Sequence, residues 1–187
     1  MKICILSGNP KTDGLCQSVI EEAKLGAVEG GAEVDEIRLC DGKLLRCQVC
    51  DGGWGTCRNE NYCRYGNDGF NDFKDRIAAS DAIIIVTPVY WGEMSETLKS
   101  FIDRLRRCEF NQNGVLRDKQ VLLIASPGGT GNGLLSCFEQ MDRFCRHTGA
   151  VIFDYIGTNR WNNDYKKVAV RSAARAVASG RKNGETI

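Results

Sequence analysis

The stretch Ala82-Ile83-Ile84-Ile85-Val86-Thr87-Pro88-Val89-Tyr90-Trp91-Gly92 decides the fold. Its first half is an unbroken apolar run of mostly β-branched residues, the pattern of a central parallel strand covered on both faces. Its second half sets two adjacent aromatics and a glycine directly at the carboxyl end of that strand. Tyr90 and Trp91 cannot both point into a core, so the stretch reads as a buried strand over 82–87 delivering an aromatic loop. Outward from it, residues 121–126 form a second continuous run, and 2–6 and 150–156 read as two further strands. Residues 33–39 alternate, as a strand near the sheet edge does. Apolar residues at spacings of three and four place helices between the strands: Val19, Ile20, Ala23 and Ala27; Phe70, Phe73 and Ile77; Leu98, Phe101, Ile102 and Leu105, with Ser95 near the start; Leu134, Phe138, Met141 and Cys145; and finally residues 168–177. Five strands alternating with five helices specify an α/β fold, a parallel sheet with helices on both faces joined by right-handed crossovers.

With 187 residues, 42% of them hydrophobic and 26% charged, the chain is expected to be one domain, 1–187, carrying a long irregular insertion at 40–67. A stretch of that length without regular structure points to function. The tail 181–187 is polar and expected to fray. Lys+Arg 25 against Asp+Glu 24 gives a formal charge of +1. That balance argues against a nucleic-acid binder, which carries a basic excess, and gives no attraction to an acidic membrane. No apolar run approaches the ~18 residues that span a bilayer, and the N-terminal run is too short for a signal peptide. The expected compartment is the cytoplasm, where thiols stay reduced. The single histidine, His147, rules out a histidine-based metal site; it reads as a favourable charge at a helix C-terminus. Arg104, Arg106 and Arg107 read as a solvated face or subunit rim, with a nicotinamide phosphate as an alternative partner.

In an open α/β sheet, ligands sit at the carboxyl ends of the strands. Three segments fall there. Ser7-Gly8-Asn9-Pro10-Lys11-Thr12-Asp13-Gly14 offers hydroxyls, a lysine and backbone N–H groups leading into a helix, which suits a phosphate. Pro88-Val89-Tyr90-Trp91-Gly92 offers aromatic walls. Pro127-Gly128-Gly129-Thr130-Gly131-Asn132-Gly133 lets backbone approach a flat ligand. No Gly-x-Gly-x-x-Gly follows the first strand and no Gly-x4-Gly-Lys-Ser/Thr occurs, which argues against a Rossmann dehydrogenase and a P-loop nucleotidase. Together the three segments fit a planar ring with a phosphorylated tail, and FMN meets that description.

These residues, with Met94-Ser95 and Leu98-Lys99-Ser100-Phe101-Ile102-Asp103-Arg104, carry a resemblance. Over residues 1–160 the chain resembles the flavodoxin-like NAD(P)H-dependent FMN reductases, in their iron–sulfur flavoprotein branch. The resemblance implies a three-layer sandwich with strand order 2-1-3-4-5. It implies FMN phosphate on Ser7, Asn9, Lys11, Gly14, Leu15 and Cys16, the ring along Pro88, Val89, Tyr90, Trp91 and Gly92, and the ring's polar edge on N–H groups of Gly128, Gly129 and Thr130. Leu15-Cys16 stands where relatives often have Asn-Thr, so two side-chain donors are replaced by backbone alone.

Four of the ten cysteines, Cys47, Cys50, Cys57 and Cys63, crowd into seventeen residues of the insertion. Four thiolates suit a [4Fe–4S] cluster or a structural zinc; free thiols or a disulfide are the remaining readings. The resemblance favours the cluster, although relatives usually space the second and third cysteines more closely than the gap holding Gly52-Gly53-Trp54-Gly55. The other six, Cys4, Cys16, Cys40, Cys108, Cys137 and Cys145, read as small buried hydrophobes, with Cys16 set apart beside the phosphate. The family's chemistry is carried by its cofactor, so no side chain is assigned as catalytic. NAD(P)H is the expected co-substrate, and a quinone, a second flavin, the cluster or a protein the acceptor. The alternative is an electron carrier exchanging with ferredoxin-like partners. Exposed Tyr90 and Trp91 lead to the expectation of a homodimer or homotetramer.

Overall fold

The computed structural model describes residues 1–110 and 114–182. Parallel strands β1 (Lys2–Ser7), β2 (Glu33–Arg38), β3 (Ala82–Tyr90), β5 (Gln120–Pro127) and β6 (Val151–Gly157) lie in the order β2-β1-β3-β5-β6, and the two-residue β4 (Glu93–Met94) folds back antiparallel onto β3. Disregarding β4, this is the 2-1-3-4-5 order expected from the sequence. Strand alternation splits the core in two. Cys4, Leu6, Ile83, Ile85, Val121 and Leu123 face one way, with helices α3 (Phe70–Ala78), α4 (Glu96–Cys108) and α5 (Leu134–Thr148) packed over them. Ile3, Ile5, Ile84, Val86, Leu122 and Ile124 face the other, under α1 (Gly14–Glu29) and α6 (Asn163–Ala178). The last two helices lie so close that a Cβ on Gly26 would stand 2.1 Å from the Arg171 carbonyl oxygen.

Three expectations need correction. β3 continues three residues past Thr87: Pro88 pairs with Ser126 and Val89 with Pro127, because the proline ring's fixed φ is compatible with extended backbone. Pro88, Val89 and Tyr90 are therefore strand, and only Trp91-Gly92 is turn. α6 begins at Asn163, ahead of residue 168, where the polar face Asp164, Lys166 and Lys167 hides the period. The insertion is not wholly irregular; it contains short 3₁₀ turns and the five-residue α2 (Thr56–Glu60). β2 is the edge strand expected, pairing with β1 on its inner side. Residues 183–187 of the expected frayed tail lie outside the described residues. Among the described residues, no helix is long and apolar enough to cross a membrane.

Candidate functional site

The strand order reverses between β1 and β3, and the loops after β1, β3 and β5 meet at that end of the sheet. The first is organised by its own side chains. Asn9, buried, accepts from the Lys11 N–H at Oδ1 (3.3 Å) and donates from Nδ2 to the Lys11 carbonyl (2.8 Å), while its own N–H donates to Ser7 Oγ (3.2 Å). The Gly8 N–H donates to the Val86 carbonyl (2.9 Å). Ser95 Oγ donates to the Gly8 carbonyl (2.7 Å) and accepts from the Leu98 N–H (3.3 Å), so one hydroxyl caps α4 and fastens the loop. A Cβ on Gly8 would lie 2.6 Å from that hydroxyl. Beyond this anchored part, Lys11 is exposed, Gly14 has φ +79° with open space around it, and the N-cap Asp13 makes no side-chain cap bond. The first N–H groups of α1 are thus left for an external acceptor. Leu15 is half-buried. Cys16 turns its thiol into the core, where burial pushes it up to about 12; its side chain is not at the phosphate loop's surface, and only its backbone can serve there.

The second loop is the β3–β4 hairpin turn. Trp91 (φ +53°) and Gly92 (φ +81°) form a two-residue turn with both φ positive, the type I′ arrangement that matches strand twist. Trp91 is 104% exposed and Tyr90 47%, so the two aromatics stand on the surface as the sequence required. The turn is fastened to the third loop. Ser136 Oγ donates to the Gly92 carbonyl (2.6 Å), and a Cβ on Gly133 would lie 2.3 Å from Gly92 Cα. In that third loop, Gly128 and Gly129 have open space where a side chain would be, and Thr130 is exposed. Arg160 donates to the Gly128 carbonyl from Nε (3.0 Å) and Nη2 (2.8 Å). Ser136 and Arg160 escaped the sequence reading: neither belongs to a motif, and each acts through a carbonyl that only the fold brings near. An uncapped helix start beside a lysine, an exposed aromatic turn and bare glycine backbone on one rim fit a phosphorylated planar ring.

The insertion after β2 opens at the same end of the sheet. Cys40, expected to be core, is half-buried, and its thiol donates to the Asn9 carbonyl (3.4 Å), tying the insertion to the phosphate loop. Cys47, Cys50, Cys57 and Cys63 line one cavity of about 20 Å³, together with Arg46, Arg104 and Arg107 and no carboxylate. The glycine-rich gap is a turn: the Gly53 N–H donates to the Cys50 carbonyl (3.0 Å), Trp54 packs on Phe110 with centroids 4.7 Å apart, and a Cβ on Gly55 would stand 2.6 Å from Cys50 Sγ. The six-residue gap thus returns Cys57 to its partners. Asn71 holds the far end, accepting from the Cys63 N–H (3.1 Å) and donating to its carbonyl (2.9 Å).

Arg104 overturns its reading as a solvated residue. Only 3% exposed, it forms a forked ion pair with Asp68 (2.6 and 3.2 Å), donates to the carbonyls of Leu45 (2.9 Å) and Tyr65 (3.1 Å), and reaches Cys63 Sγ at 3.3 Å. Burial pushes the Asp68 carboxyl up, but the Arg104 guanidinium and the Leu45 and Phe70 N–H groups outweigh it and leave the group below its usual range. Arg107 donates to the Gly53 carbonyl. His147 sits in the last turn of α5 as expected, with Nε2 at 3.4 Å from Arg106. All ten cysteines are free thiols, and no three of the described His, Cys, Asp or Glu side chains are arranged as ligands of one ion. The donor set and its cationic surroundings fit a thiolate-bound cluster; the cavity must widen to receive it.

The family model described as NADPH-dependent FMN reductase matches residues 1–162. An iron-sulfur flavoprotein of Methanosarcina thermophila is 33% identical over 136 residues, an alignment covering 71% of this chain and 66% of that one. An iron-sulfur flavoprotein of Methanocaldococcus jannaschii is 28% identical over 144 residues, covering 77% and 71%. Among solved structures, the NAD(P)H:quinone oxidoreductase from Methanothermobacter marburgensis superposes with a TM-score of 0.71 at 17% identity, covering 95% of this chain and 96% of that one. A flavodoxin from the domain Archaea does so with a TM-score of 0.63 at 15% identity, covering 97% and 99%. These likenesses give the fold as flavodoxin-like.

Proposed function

From the premise that the chain belongs to the NADPH-dependent FMN reductase family, we propose that it is an FMN-dependent NAD(P)H oxidoreductase. The observation that carries this reading is the rim where three fastened loops leave an uncapped helix start, the Trp91 turn and bare Gly128-Gly129 backbone facing outward. Bound FMN would supply hydride acceptance from the nicotinamide and return of the electrons to an acceptor. The chain's part is to bind and orient. Lys11 and the N–H groups of Gly14, Leu15 and Cys16 would hold the phosphate on a loop shaped by Ser7 and Asn9. The strand end Pro88-Val89-Tyr90 and the turn Trp91-Gly92 would keep the ring flat with one face open to the nicotinamide. N–H groups of Gly128, Gly129 and Thr130 would meet negative charge at the ring's polar edge.

A second centre follows from the four cysteines that share one cavity with three arginines. Cys47, Cys50, Cys57 and Cys63 would hold a [4Fe–4S] cluster, which supplies one-electron exchange, and this favours the second reading, an electron carrier serving ferredoxin-like partners. A second copy of the chain is the occupant we assign to the rim outside Trp91, since a lone domain leaves that ring wholly in water. A cytoplasmic protein without nucleic-acid or membrane partners is consistent with these roles.

Absorbance of protein prepared without oxygen, with flavin, iron and sulfide assays, tests both centres. The expected result is a yellow-brown protein that NADH or NADPH bleaches. A protein that stays colourless after incubation with FMN overturns the first reading. Iron and sulfide with little nicotinamide oxidation would make the carrier reading the better one.

A further inference from the structure

We propose that Arg104 is the positioning residue of the cysteine centre and the group that raises its reduction potential; the inference rests on the cluster reading above. Three arginines line the cysteine cavity, but they are not equivalent. Arg46 is exposed, and Arg107 is half-buried with its guanidinium on the Gly53 carbonyl. Arg104 is nearly inaccessible to water, and one of its N–H groups points at a ligand sulfur, Cys63 Sγ, at 3.3 Å. Its ring contact with Phe70, 4.2 Å from guanidinium carbon to centroid, and its fork onto Asp68 fix the group from two other sides. Hydrogen bonds to cluster sulfurs and nearby net charge are the protein's main means of setting such potentials.

The sign follows from charge. Adding one electron to a cluster bound by four thiolates adds one negative charge to the site. A fixed guanidinium beside one ligand sulfur stabilises that added charge more than it stabilises the unreduced centre. Asp68, with its side chain 7% exposed on the guanidinium, partly cancels this effect. The pair therefore acts as an opposed couple. Loss of the cation moves the potential down, and loss of the anion moves it up. A merely structural role would loosen the loop in either case and move both variants the same way.

The experiment is a dithionite titration of the anaerobically reconstituted protein, followed by paramagnetic resonance of the reduced cluster and by flavin absorbance. Arg104→Gln keeps a donor and removes the charge; Asp68→Asn keeps an acceptor and removes the charge. The expected result is a more negative cluster potential in R104Q, a more positive one in D68N, and an unmoved flavin potential in both. Arg104→Lys, which keeps the charge without the fork, lies between wild type and R104Q and decides the case if R104Q fails to retain iron. Shifts of the same sign in the Arg104 and Asp68 variants, or an R104K and R104Q potential equal to wild type, overturn the inference while leaving the cluster in place. A wild-type protein that takes up no iron and sulfide overturns the cluster reading itself, and the assay shows this before any potential is read.

Discussion

The flavin rim and the cysteine insertion occupy the same end of the sheet, yet they are held by different means. At the rim, fixed points are backbone groups at strand ends, and the side chains that fasten them are short: Ser95 on the Gly8 carbonyl, Ser136 on the Gly92 carbonyl, Gly133 against Gly92. The sheet's own hydrogen bonds bring these atoms together, so the rim takes its shape before any ligand arrives. In the insertion, a stretch with little regular structure is gathered onto one long side chain, Arg104, and onto Asn71. Its four thiols converge on a common cavity without reaching ligand geometry. One site is finished by the fold; the other, on the cluster reading proposed above, would be completed by its metal.

The difference can be broken most forcefully at the ion pair. Asp68→Ala strands a buried guanidinium, and removing one partner of a buried pair costs about 3–5 kcal/mol. Urea unfolding should show a loss of that order, with iron binding lost while the residual folded protein still takes FMN. Equal loss of flavin and iron would mean that the two regions are a single cooperative unit. Next in size is Gly133→Ala, which places a Cβ against Gly92 at φ +80° and should cost roughly 2–3 kcal/mol. Here the pattern inverts, with weaker FMN binding by fluorescence titration and unchanged iron content. Ser95→Ala removes a helix cap and the tie to Gly8 together, for about 1 kcal/mol, and a several-fold weaker FMN affinity is expected.

Acid sharpens the same contrast. Asp68 is held below the usual carboxylate range in the folded chain. Its contribution is therefore complete above its unfolded value, near pH ~4, and fades as pH falls through the depressed folded one. Trp54 fluorescence, read in a protein with Trp91 and Trp161 changed to Phe, should show a transition below about pH 4, separate from that of buried Glu109, whose carboxyl burial lifts above its usual range. The Asp68→Asn variant should lack that transition. The smallest effect is Trp91→Ser. A fully exposed ring outside the core should shift monomer stability by less than ~0.5 kcal/mol, while the dimer proposed above should weaken in sedimentation.

Much of the rim was readable in the chain because periodicity and turn chemistry are local. The apolar run 82–86 demanded a covered strand, and Tyr90 and Trp91 could not both be core, so their exposure at the strand end was legible, although Tyr90 is strand and only Trp91-Gly92 is turn. The strand's extension through Pro88 was hidden because proline reads as a stop until its neighbour Ser126 is known. The insertion was legible only as a cluster of thiols. Arg104 sits among Arg106 and Arg107 on a helix, a spacing that suggests a solvated face; its burial depends on Asp68 and Leu45, which lie at remote positions in sequence. Cys40 looked like one more small hydrophobe, and its tie to Asn9 joins two loops that no period connects.

Helix α4 belongs to both regions at once. Ser95 at its start holds the Gly8 carbonyl, and Arg104, nine residues on and thus about 14 Å along the axis, holds the insertion. A single added or deleted residue between them would swing Arg104 by roughly 100° around the helix and take it away from Cys63. Evolution can lengthen, shorten or rewrite the turns between the cysteines at modest cost, but the count from 95 to 104 behaves as a ruler whose marks cannot be shifted singly.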